Sequence, residues 1–190
     1  MKKIALLKFN LYLVFVLVLA QGLNAQSFED LDKDPMDIVY LRESRNTAPL
    51  AKVIYGRPQK TEESVFGNTV AYGKLWRTGA NEATEVKFYQ DLIFGDIKVP
   101  AGEYVLYTIP GEKEWEVILS SNLDVLGAFQ YDPVFDVARI KVPVARAEEL
   151  KVFSIAFKEK GDQSHLVLGW DTIRVNIPLQ FQHREHYARL

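Results

Sequence analysis

From residue 50 onward, apolar and polar side chains alternate at every second position, in one short segment after another. Ala51, Val53 and Tyr55 alternate with Lys52 and Ile54, and Thr84, Val86 and Phe88 with Glu85 and Lys87. Leu92–Phe94 and Ile97–Val99 flank Gly95-Asp96, a tight-turn pair. Pro100 to Glu103 turns the chain into Tyr104–Ile109, and Pro110-Gly111 leads to Trp115, Val117 and Leu119. Ile140, Val142 and Val144 follow, then Phe153, Ile155 and Phe157. Gly161-Asp162 separates these from Leu166–Trp170, and Asp171-Thr172 leads into Ile173, Val175 and Ile177.

A two-residue period puts alternate side chains on opposite faces of a strand, so each sheet has one apolar face. Two such faces must meet. The expected fold is therefore all-β: an antiparallel β-sandwich, jelly-roll-like or a flattened barrel, in a single domain with little helix. Only Thr61–Ser64 and Arg146–Leu150 read as single helical turns. No βαβ rhythm, repeat or heptad interrupts the pattern.

The first 25 residues follow different rules. Lys2 and Lys3 precede an unbroken apolar run from Leu11 to Ala20, then polar Gln21 and Asn24 and the small Ala25. This is the layout of a secretory signal peptide over residues 1–25, cleaved after Ala25. A spanning helix needs about 20 predominantly apolar residues, and Lys8 and Asn10 cut this one short. The expected mature protein is exported, periplasmic or secreted, and has no membrane span. The chain has no cysteine, so disulfides, thiolate metal sites and thiol nucleophiles are all excluded.

Export also changes the charge. Residues 1–25 hold three lysines and no acid, so Lys+Arg falls from 23 to 20 against 25 Asp+Glu, and the mature charge is −5. Nucleic-acid binding needs a basic face to displace counterions, and no Lys/Arg stripe supplies one.

Residues 26–47 form an acidic N-terminal leader, a short helix or an arm on the domain, with an apolar stretch at Ile38–Leu41. Asp30, Asp32 and Asp34 imitate the opening of a calcium loop. Pro35 stands where that loop needs glycine, and Leu41 where it needs a bidentate glutamate. Residues 48–181 carry the sandwich domain and 182–190 a C-terminal tail.

Phosphate-cradling glycine loops, the dinucleotide fingerprint and the serine elbow are all missing, so no cofactor is expected. His165 begins a strand, and His183 and His186 lie in the tail; no zinc motif joins them, so no metal is expected.

Polar chemistry concentrates in Tyr72 to Thr84, YGKLWRTGANEAT. Gly73 and Gly79 let the chain turn sharply twice, which sets Arg77 and Glu82 across the Thr78–Ala80 turn. As a ligand site the set is Tyr72, Trp76, Arg77, Thr78, Asn81 and Glu82. Arginine takes an anion or sugar hydroxyls, asparagine and glutamate make directional hydrogen bonds, and tryptophan stacks on a ring. The same residues also suit a plain structural role: an Arg77–Glu82 ion pair, an Asn81 turn cap and a buried Trp76.

LDKDPMDIVY (31–40), VIYGRPQK (53–60), FGNTVAYGKLWRTGANEATEV (66–86), AGEY (101–104), IPGEKEWEVIL (109–119) and DVARIKVPV (136–144) together resemble the bacterial domain of unknown function 2911. The resemblance runs from about Ser27 to Phe181 and is most specific at Trp76 to Thr84. It implies an exported, β-rich protein of Gram-negative bacteria of the Bacteroidetes type, and draws attention to Arg77, Asn81 and Glu82. It implies no reaction. Gly56 departs from it, since serine is expected there.

Three functions stay open. The first is a non-catalytic binding module for a polar small ligand or carbohydrate, using loops at the ends of the sandwich and aromatics among Tyr72, Trp76, Trp115, Phe129, Tyr131 and Trp170. The second is an acid–base hydrolase with Glu82 as the catalytic group and Arg77 beside it. It would need a second carboxylate, for which Asp136 and Asp171 are the candidates. The third is a structural or assembly partner in the cell envelope.

Overall fold

The alternation sorts the side chains as its period requires. Ala51, Val53, Tyr55, Thr84, Val86, Phe88, Trp115, Val117 and Leu119 are all buried, and the side chains between most of them face the other side. A computed structural model describes residues 30–61, 64–160 and 163–181. The leader peptide expected over 1–25, the tail 182–190 with His183 and His186, Gly161-Asp162 and part of the Thr61–Ser64 turn lie outside the described residues.

Among the described residues nine strands form: β1 (Met36–Arg42), β2 (Pro49–Gly56), β3 (Thr84–Phe88), β4 (Leu92–Phe94), β5 (Ile97–Val99), β6 (Gly102–Ile109), β7 (Glu114–Ser120), β8 (Asp136–Lys160) and β9 (Gln163–Phe181). They make one antiparallel sheet in the order β1-β2-β3-β6-β7-β8-β9-β4-β5. Gly95 turns β4 into β5 at φ +65°.

The long β8 changes partners along its length. It pairs with β7 up to Pro143 and with β9 from Val144 onward. The sheet therefore folds over on itself, and its halves face each other across a shared core. Tyr55 on β2 meets Phe153 on β8 edge-on at 5.7 Å, and its hydroxyl accepts from the Ile155 amide at 3.0 Å. Phe88 on β3 lies 6.3 Å from Phe94 on β4 and 6.4 Å from Phe181 on β9. The all-β, sandwich-type architecture follows.

Local expectations fail in two places. Met36–Arg42, assigned to the leader as a helix or arm, is a strand: Val39 and Leu41 alternate inward, and residues 36–41 pair with 51–56 of β2. Arg146–Leu150 is no helical turn. It lies in β8 at a register irregularity, where pairing with β9 replaces the intrahelical bonds that so short a helix could not sustain. Asp171-Thr172, expected to lead into Ile173–Ile177, lies within β9, with Asp171 at φ +49°.

A second, smaller core was not foreseen. On the outer face, Val105 and Tyr107 of β6 and Ile118 of β7 are buried with Ala83 and Val125. A lobe over residues 121–135, containing the 3-10 turns Ala128–Gln130 and Pro133–Phe135, packs there. The Ala83 amide donates to the Val125 carbonyl at 3.4 Å and ties the lobe to the start of β3.

Candidate functional site

The conspicuous segment, Tyr72 to Thr84, enters the fold through Trp76. Its amide and carbonyl both pair with Thr108 on β6, at 2.7 and 3.0 Å. This two-way bond turns the indole inward. There it packs with Phe153 (5.1 Å), Trp170 (6.0 Å), Trp115 and Phe66 (both 6.2 Å), and its Nε1 donates to the Gly79 carbonyl at 3.1 Å. Trp76, partly buried, packs against the main core.

Of the two expected turn glycines, Gly73 sits in the left-handed region at φ +68°, but the turn after Trp76 is held open by residues other than Gly79. Thr78 sits at φ +60° and Asn81 at φ +59°, whereas Gly79 is not in the left-handed region. Asparagine tolerates that region, but for a β-branched threonine it costs about 1–3 kcal/mol. Thr78 is fully buried and bonded on both sides: its hydroxyl shares a hydrogen with Thr108 at 3.1 Å, and its carbonyl accepts from the Thr84 hydroxyl at 2.7 Å.

Gly79 is needed for space. A Cβ there would stand 3.0 Å from Thr84 Oγ1 and 3.1 Å from the Gly56 carbonyl oxygen. Gly56 is tighter still, since its Cβ would lie 2.1 Å from the Ala80 carbonyl oxygen. A side chain at 56, such as the serine expected there, would force these two backbones apart.

Three of the six proposed site residues come together. Arg77, Asn81 and Glu82 line an open depression of about 600 Å³ with Asp32, Asp34, Met36, Leu126 and Phe129. Tyr72 stands apart, with its ring over Gly67, while Trp76 packs partly buried against the core and Thr78 is fully buried. Arg77 and Glu82 form no ion pair among the described residues. The guanidinium lies against the lobe, 3.6 Å from where a Gly127 Cβ would be, and its Nε is buried without a hydrogen-bond partner. Asn81 reaches the other way and donates to Asp32 Oδ2 at 3.0 Å. Asp32 also accepts from the Asp34 amide at 2.7 Å, and Asp34 from the Gln59 amide at 3.3 Å. The acidic leader is thus bonded to the turn.

Sequence reasoning named Phe129 among the candidate aromatics but missed Met36 and Leu126, the rest of the apolar wall of this depression. Phe129 is 81% exposed, Met36 58% and Leu126 56%. The available signal was LGAFQYDPVF (126–135), which is rich in large apolar residues but follows neither a two-residue nor a helical period.

The second carboxylates considered for a hydrolase are engaged elsewhere. Asp136 accepts from the Tyr131 hydroxyl and from Arg139, both at 2.8 Å. Burial, reinforced by the bond to Asp136, pushes the Tyr131 hydroxyl up to about 12. Asp171 accepts from Lys60 Nζ at 2.9 Å and from the Val65 amide at 3.3 Å. Burial raises the Asp171 carboxyl, but the Lys60 and Val65 donors outweigh it and hold it below the usual range. Neither residue lines the depression with Glu82. No group of three or more ligating side chains among the described residues could hold a metal ion.

The fold is an all-β domain of sandwich type with an open, mixed depression beside one strand edge. The chain belongs to the family "Protein of unknown function (DUF2911)", whose profile matches residues 42–179. No curated protein and no solved structure matches it.

Proposed function

We propose that this protein is an exported, non-catalytic binding module for a carbohydrate or similar polyhydroxyl ligand, held in the depression of Arg77, Asn81, Glu82 and Phe129. The observation that carries the reading is the state of Arg77. Its Nε is sealed without an acceptor, beside three carboxylates and an exposed aromatic ring. The Arg77 side chain makes no hydrogen bond or ion pair among the described residues, so its outer guanidinium nitrogens are left to donate to ligand oxygens in the depression. Hydroxyl groups suit the whole set, because they accept from arginine and donate to Asp32, Asp34 and Glu82 at once. Phe129 offers a flat apolar face for the C–H surface of a sugar ring. The aromatic part first given to Trp76 therefore passes to Phe129.

Calorimetric titration of the mature protein against a panel of neutral mono- and oligosaccharides tests this. Saturable binding is expected, lost in Arg77→Ala and weakened about tenfold in Phe129→Ala, equivalent to ~1.4 kcal/mol. No binding across the panel, or full binding by Arg77→Ala, would sink the reading. Export is tested separately: mass spectrometry of protein from the cell envelope or medium should find an N-terminus at Gln26.

A further inference from the structure

The 121–135 lobe borders a second depression on the same outer face. This one is smaller, about 120 Å³, and is lined by Lys52, Glu85, Lys87, Glu103, Leu123 and Asp124. The lobe thus presents Leu123 and Asp124 to one depression and Leu126 and Phe129 to the other. It is stiffened between them, where the Leu126 amide donates to Gln130 Oε1 at 2.7 Å. The sheet register gives the separation. Met36, at the first depression, is paired with Gly56, and Lys52, at the second, lies four residues back along β2. Four strand residues span about 13 Å. Between them the outward positions are Ile54 and its partner Ile38, the latter 47% exposed.

We propose that the two depressions are the ends of one trough that holds an extended, uncharged glycan, several sugar units long, along the outer side of β1–β3. This rests on the carbohydrate reading of the first depression and adds the size and charge of the ligand. The length follows from the separation of the two polar ends. The apolar pair between them, Ile54 and Ile38, suits the C–H faces of a sugar chain. The charge follows from the side chains. One arginine stands among three carboxylates at the first end, and two lysines among three carboxylates at the second, where Lys87 is already bonded to Glu103 at 2.6 Å. The trough is therefore net negative at both ends and repels polyanions.

The test is calorimetry on the mature protein with three probes: neutral β-linked gluco-oligosaccharides of one to six units, the same lengths of mannose oligomers, and oligogalacturonides as polyanions. Affinity should rise at least about tenfold between two and six units of a neutral series. The double variant Lys52→Ala/Glu85→Ala should lose that gain and bind the disaccharide as the parent does. Equal affinity at all lengths would overturn the trough while leaving the first depression a sugar site. A preference for oligogalacturonides would overturn the charge argument. No binding by any probe would remove the underlying reading as well.

Discussion

Trp76 and Phe129 are both large aromatic residues, and they stand on opposite faces of the same half-sheet. Trp76 is set by a two-way backbone bridge to Thr108 and closed in by four other rings. Phe129 projects from a lobe whose own small core lies beneath it, and is 81% exposed. The inner face is an interior that rings hold together. The outer face carries unpaired polar groups and uncovered apolar ones in the same hollow. Residues 76 to 82 cross from one to the other within seven positions. A signature of this kind thus mixes fold-holding residues with solvent-facing ones, and only their surroundings separate the two.

The sharpest way to break this contrast is to truncate the inner face. Trp115→Ala should cost about 3–5 kcal/mol in denaturant unfolding, because the surrounding rings cannot collapse into the space. A loss under about 1 kcal/mol would show that the aromatic cluster is not the core it is taken to be.

Gly56→Ser tests the seam between the faces. The added Cβ meets the Ala80 carbonyl oxygen, which cannot swing away as a side chain could, so about 1–3 kcal/mol should be lost. An unchanged unfolding midpoint would mean that the 78–82 turn shifts freely.

Asp171→Ala should remove about 1–3 kcal/mol, since the buried Val65 amide loses its acceptor. The same carboxyl gives a pH signature. Its folded value lies below the ordinary aspartate value, so its contribution is complete above that ordinary value and vanishes as pH falls through the lowered one. Between those limits the melting temperature of the parent should fall with acid more steeply than that of Asp171→Asn. Parallel curves would show that the Lys60–Asp171 pair adds nothing.

The smallest effect belongs to the outer face. Glu82→Gln and Phe129→Ala should each stay within about 0.5 kcal/mol of the parent in stability, because each side chain is exposed. A stability loss of several kcal/mol in Glu82→Gln, with no change in ligand response, would return Glu82 to a structural role.

The alternation was enough to place most strands, since burial on one side of a pleated chain leaves its mark at every second residue. β4 and β5 appeared with the ends expected for them, around Gly95-Asp96. β1 was hidden because its outward positions Met36, Ile38 and Tyr40 are apolar as well, which blurs the period of two. The 121–135 lobe was hidden because its apolar residues follow no period at all. At the site, composition pointed to Arg77, Asn81 and Glu82, and these three do share the depression. It could not tell them from Trp76 and Thr78, whose directions depend on Thr108, thirty-odd positions away along the chain.

What the sequence determined alone was therefore the all-β architecture and the stretch in which polar chemistry is concentrated, because both are written in local spacing and residue type. Tertiary structure decided which aromatic faces solvent, why position 56 has no side chain, and that Arg77 lies against the lobe and not against Glu82. Each of these depends on contacts between segments far apart in the chain, and such contacts leave no periodic trace in the order of residues.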